Sequence, residues 1–184
     1  MCRCSARPGP TVPIVAANPM GYRITQINQM SQAEFVAAFG SVFEDTPSIA
    51  EQSWYQRPFL DVADLHQAMV TLVEQMPEES QLDLIQAHPD LGSRVHMAPA
   101  SVQEQTSIGL NRLSPTEYEQ FKTLNTTYQT KFGFPFITAV RNQTKETILG
   151  EFTQRLQNTL ANEQKRALLE IGKIARFRLD DLLD

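Results

Sequence analysis

The feature that most constrains this chain is a helix-start signal that recurs along it. Ser31 with Glu34, Ser48 with Glu51, Ser101 with Glu104, and Ser114 with Glu117 each set a hydroxyl three residues ahead of a carboxylate, close to apolar residues. In that spacing the hydroxyl accepts from one free backbone N–H and the carboxylate reaches back to another, so two orphan donors of a helix are satisfied together. The Ser114 signal is strengthened by Pro115, whose missing N–H costs nothing at the first helical position. Val62, Leu65, Met69, Leu72 and Met76 recur at three- and four-residue steps, as do Ile148, Phe152, Leu156 and Leu160, which predicts two amphipathic helices. Strand alternation is nearly absent, and the run from Phe134 to Val140 is the one serious strand candidate. The expectation is an all-α fold, a single compact domain of about seven to nine helices.

That domain is expected to span residues 20–184. Residues 1–19 hold four prolines and little periodic hydrophobicity, which predicts a disordered extension and makes Met20 a candidate native start. A 184-residue chain with 41% hydrophobic residues has enough apolar surface for one core. The net charge of -5, with scattered basic residues, argues against a nucleic-acid partner. No apolar run is long enough to span a bilayer, so no membrane partner is expected. Cysteine occurs only at positions 2 and 4, and the chain lacks a secretory apolar region and a C-terminal Ser-Lys-Leu address, which together predict a cytoplasmic protein.

Four segments could carry chemistry. A helix from about Glu78 to Ala87 has to end before Pro89, which presents His88 at a helix terminus; Asp90 is placed to orient its ring and Gly92 permits close backbone approach. Taken alone this is more often a capping feature than an acid–base group. Ser101 and Glu104 read as a capping box, or as a helix N-terminus facing an anion, with Glu104 and Gln105 bonding ligand N–H groups. Phe132 to Ile137 reads as a packed corner, or as a backbone wall for a planar ligand, with Gly133 a left-handed helix cap. On the last helix, Arg178 falls within the stripe of Leu168, Ile171, Ile174 and Ala175, whereas Arg176 lies outside it. It is either a structural ion pair or a fork for a carboxylate. His66 reads as a core-boundary residue and His96 as a loop residue; with no metal-ligand spacing among the histidines, no metal is expected.

Taken in order, Ala87-His88-Pro89-Asp90-Leu91-Gly92, Ser101 with Glu104-Gln105, Leu113-Ser114-Pro115 with Glu117-Tyr118, Phe132 to Ile137, and Ile174-Ala175-Arg176 with Arg178-Leu179 resemble the 2-oxo-4-hydroxy-4-carboxy-5-ureidoimidazoline (OHCU) decarboxylase family over about residues 24–180. Each motif is weak alone, and five in order are specific. The resemblance implies an all-α homodimer that decarboxylates OHCU, a small ureidoimidazoline, to (S)-allantoin without a cofactor, in the last step of urate oxidation. It implies catalytic roles for His88, Glu104 and Arg178. It also implies substrate contacts from Pro89, Ser101 and Gln105 and from the wall Phe136, Ile137, Thr138, Ala139 and Val140. Two other readings compete: a non-enzymatic helical adaptor with a peptide groove, and a hydrolase acting on a related ureide. An adaptor would expose a continuous apolar groove, whereas a decarboxylase would converge His88, Glu104 and Arg178 on a small polar pocket.

Overall fold

A computed structural model describes residues 21–93 and 97–184. The expectations for residues 1–19, for Met20 and for His96 lie outside the described residues. Among those described, the chain forms nine α-helices: α1 Ile24–Ile27, α2 Gln32–Phe39, α3 Ser48–Ser53, α4 Val62–Gln75, α5 Glu78–Gln86, α6 Pro99–Ser107, α7 Pro115–Phe132, α8 Lys145–Arg155 and α9 Leu160–Leu182. No strand forms among them, and the fold is all-α. A single bridge pairs Tyr22 with Leu183, so the start of the described chain is tied to its end.

Two of the four expected capping boxes form, at Ser31 with Glu34 and at Ser114 with Glu117. Ser48 is instead the first residue of α3, behind Pro47, and makes no cap bond. Ser101 is not a cap either. Pro99 takes the first helical position, so α6 begins two residues before Ser101 and leaves its hydroxyl free for other partners. The stripe drawn through Leu156 and Leu160 also breaks. Thr159 caps a new helix by accepting from the Asn162 N–H, so Leu160 opens α9 while Leu156 closes α8.

Helix α9 organises the core and packs against α4 and α5. Its buried face runs through Glu163, Ala167, Glu170, Ile171, Ile174, Ala175 and Arg178, spacings that keep all of them on one side. His66 sits at the boundary as expected, with its Nε2 2.7 Å from the Gly172 carbonyl. Gly133 ends α7 in the left-handed conformation, φ 79°, and turns the chain into the buried run 134–140. That run resembles a strand in sequence because it is apolar and buried. It pairs with none because side chains of α8 and α9 take its backbone groups, as described below.

A candidate acid–base cleft

The cleft is built where the ends of α5, α6 and α9 meet the 134–140 run. Ala87 closes α5, and the His88 N–H still reaches back to the Ile85 carbonyl, so the imidazole leaves the helix at a fixed angle. Its Nδ1 lies 2.9 Å from the Leu84 carbonyl. A carbonyl can only accept, so Nδ1 carries the proton and Nε2 is left as the basic nitrogen. Asp90 does not orient this ring. Its carboxylate accepts from Gln129 Nε2 at 2.8 Å, and the backbone of α5 does the orienting. His88 is 7% exposed. Burial, the largest influence, pushes its pKa below that of a free imidazole, against the upward pull of the Leu84 bond and of the Glu44 carboxylate.

The loop that carries His88 is pinned on three sides. Gly92 adopts φ +70°, and a Cβ there would come within 2.8 Å of Leu113 Cδ1. Its N–H donates to Gln105 Oε1 at 2.9 Å, and Asn125 Nδ2 donates to the Leu91 carbonyl at 2.9 Å. Gln105 thus joins α6 to the His88 loop, a role its sequence context does not reveal because its partner lies 13 residues away.

Arg178 is 7% exposed and occupies the buried face of α9 that the helical spacing assigns to it. Its fork holds a carboxylate, that of Glu104: Nε to Oε1 at 2.7 Å and Nη2 to Oε2 at 3.0 Å. Nη2 also donates to Ser101 Oγ at 3.1 Å, and Nη1 to Glu44 Oε2 at 3.0 Å and to the Val42 carbonyl at 3.3 Å. Burial alone would pull the guanidinium pKa down; the bonds and charges of Glu104 and Glu44 outweigh it and hold it up. The Ser101 hydroxyl donates to Glu44 at 3.0 Å, which explains why it is turned away from the start of α6. Glu44, 4% exposed, is the residue the sequence reading missed. Its one signal is an acid directly after the apolar pair Val42-Phe43, in a short segment between Gly40 and Pro47.

His88, Glu104 and Arg178 converge on one cleft, joined by Pro89, Ser101, Gln105, Phe136, Ile137, Thr138 and Val140, with Leu91 and Ile174 as apolar wall. Ala139 is the expected wall residue that does not line it, because its N–H is turned back to Glu170 Oε2 at 3.0 Å. A wider hollow adjoins the cleft and shares Glu104, Val140 and Arg178 as common walls. Among the described residues, no three His, Cys, Asp or Glu side chains gather as a metal-ligand set.

The class this arrangement defines is an all-α protein with a small cleft lined by an imidazole, a carboxylate and a guanidinium. The model of the OHCU decarboxylase family matches residues 28–180. The chain is 42% identical over 159 residues to 2-oxo-4-hydroxy-4-carboxy-5-ureidoimidazoline decarboxylase of Halalkalicoccus jeotgali, covering 86% of this chain and 90% of that one. It is 43% identical over 162 residues to the uric acid degradation bifunctional protein PucL of Bacillus subtilis, covering 88% of this chain and 33% of that one. A solved structure of (S)-allantoin synthase superposes with a TM-score of 0.71 at 30% identity, over 89% of this chain and 55% of the other. The chain belongs to the OHCU decarboxylase family.

Proposed function

We propose that this protein decarboxylates 2-oxo-4-hydroxy-4-carboxy-5-ureidoimidazoline to (S)-allantoin, the last step of urate oxidation. The observation that carries the reading is the convergence of His88, Glu104 and Arg178 on one cleft in a chain of this family. The substrate has a carboxylate and a hydroxyl on one ring carbon, beside a C=N carbon that bears the ureido group. As the C–COO bond breaks, its electron pair enters the ring and the C=N pair moves to nitrogen, which takes up a proton. CO2 leaves and an enol remains. The enol then gives up its hydroxyl proton and gains one at the neighbouring carbon, the new stereocentre. The imine is the electron sink, so the chain's own residues have only to bind, orient and move protons.

The residues divide that work. His88, with Nε2 basic, takes the hydroxyl proton and returns a proton to the stereocentre from one face. Arg178 attracts the substrate carboxylate and exchanges a Glu104 oxygen for a substrate oxygen in its fork. Glu104, so released, accepts from the ureido and ring N–H groups. Pro89 and Ser101 shape the pocket edge, Gln105 holds the His88 loop, and Phe136, Ile137, Thr138 and Val140 form the wall beside the ring.

We read the protein as a cytoplasmic homodimer that needs no cofactor. Cysteines confined to positions 2 and 4 support the compartment, and the family resemblance supports the dimer. No described helix is long and apolar enough to cross a membrane. The test is to generate OHCU freshly from urate with two upstream enzymes and to follow CO2 release and optical rotation together. Accelerated release of CO2 with one allantoin enantiomer supports the reading. Accelerated substrate loss without CO2 supports the ureide hydrolase, and no acceleration supports the adaptor.

A further inference from the structure

Behind the 134–140 run lies a second buried polar cluster that the chemistry above does not use. Arg155 is buried with Glu163, its Nε 2.6 Å from Glu163 Oε1. Glu163 also accepts from the Tyr128 hydroxyl and from Asn158 Nδ2 at 2.7 Å. Arg155 Nη1 donates to the Ile137 carbonyl at 2.7 Å while its guanidinium covers the Phe136 ring, 4.4 Å from the centroid. Two residues on, the Ala139 N–H donates to Glu170, and the Ala139 carbonyl accepts from Gln143 Nε2 at 3.0 Å. Gln143 also donates to the Thr138 hydroxyl at 3.0 Å.

A buried ion pair is a poor device for stability, since desolvation offsets most of the attraction and apolar replacements often serve as well. What these charges do is hold particular backbone groups. The braced residues, 137 and 139, are two apart, the spacing at which an extended chain turns its N–H and C=O groups to the same side. In such a chain the N–H and C=O of the residue between them, Thr138, face the opposite way. Thr138 lines the cleft, as do Phe136, Ile137 and Val140, whereas Ala139, braced at both its N–H and its C=O, does not. A slip of one residue would reverse the assignment and turn the Thr138 groups away.

We propose that Arg155, Glu170 and Gln143 are positioning residues that set the register of the 136–140 backbone, and so select which of its N–H and C=O groups read the heterocycle. The inference rests on the reading of the cleft as the substrate site. Contacts made by such a wall are the same before and during reaction, so losing them raises KM and leaves kcat.

The test is steady-state kinetics on freshly generated OHCU, with melting temperatures in parallel, for Glu170→Met, Glu170→Gln and Gln143→Ala. Glu170→Met and Gln143→Ala are expected to raise KM at least about fivefold with kcat within about twofold of wild type. Glu170→Gln keeps an oxygen for the Ala139 N–H and is expected to hold KM within about twofold. Gln143 lies in a half-exposed turn, so its variant decides the matter where Glu170→Met does not fold. A wild-type KM in folded Gln143→Ala, or equal KM shifts in Glu170→Gln and Glu170→Met, overturns the inference. A wild-type protein without activity on OHCU overturns both this inference and the function on which it rests.

Discussion

The guanidinium of Arg178 and the carboxylate of Glu104 meet as a two-point fork although 74 residues separate them in the chain. All the guanidinium N–H groups are directed to protein acceptors, with Glu44, Ser101 and backbone carbonyls of the segment after α2 completing the set. Arg178 therefore holds α6, α9 and the Glu44 segment together and at the same time lines the cleft.

Substituting lysine keeps the charge and loses the fork. Arg178→Lys is expected to raise KM and to lower kcat/KM at least about tenfold, because a point charge cannot hold Glu104 and a substrate carboxylate in plane. Arg178→Met removes the charge as well and strips the buried Glu44 and the partly exposed Glu104 of their cation, a loss of about 3–5 kcal/mol of stability. Kinetics on the lysine variant and urea denaturation of the methionine variant check the two statements separately.

The lowered pKa of His88 sets a pH dependence with a definite sign. The folded protein holds the imidazole proton more weakly than the unfolded chain, in which the group titrates near about 6.5. The stability contributed by this group is present above that pH and is lost as pH falls through the folded-state value. The basic form persists to lower pH than a free imidazole would allow. The acid limb of the kcat/KM profile is therefore expected below about 6.5, and to vanish in His88→Gln. A rate profile from about pH 4.5 to about 8 brackets an imidazole and measures the acid limb in wild type and variant.

Gly92 cannot be replaced cheaply. Gly92→Ala meets a positive φ and a contact of 2.8 Å with Leu113, and is expected to destabilise the fold by more than about 1 kcal/mol. Because Gly92 also donates to Gln105, the same change should loosen the His88 loop and lower kcat. Denaturation and single-turnover kinetics read the two effects.

A cap remote from the cleft should behave differently. Ser114 accepts from the Glu117 N–H, and Glu117 returns a bond to the Ser114 N–H at 2.7 Å. The Glu117 carboxyl is held down to about 2, first by its bond to Lys145 and then by those to Ser114. Ser114→Ala is expected to cost about 1 kcal/mol of stability. Its kinetic constants should match wild type, which makes it the control for the variants above.

What could be read from the chain follows the range over which each signal acts. The Ser114 box with Pro115, the Gly133 cap and the placement of Arg178 on the α9 face are local patterns, and the structure has each of them. The capping box expected at Ser101 does not form, because Pro99 competes for the helix start and wins. Glu44 was not legible, since its partner Arg178 is 134 residues away. The same spacing that selects Arg178 also passes through Glu163 and Glu170, so acids on an apolar stripe were a visible signal of the braces behind the wall. The run 134–140 carries strand-like residues, and only the long-range partners on α8 and α9 decide that it pairs with side chains instead.

The central claim, that His88 moves the proton in this cleft, is tested most directly by polarimetric turnover of freshly generated OHCU by wild type and His88→Gln. The variant is expected to fold, to bind, and to form (S)-allantoin at least about 100-fold more slowly. Turnover by His88→Gln at the wild-type rate would contradict it.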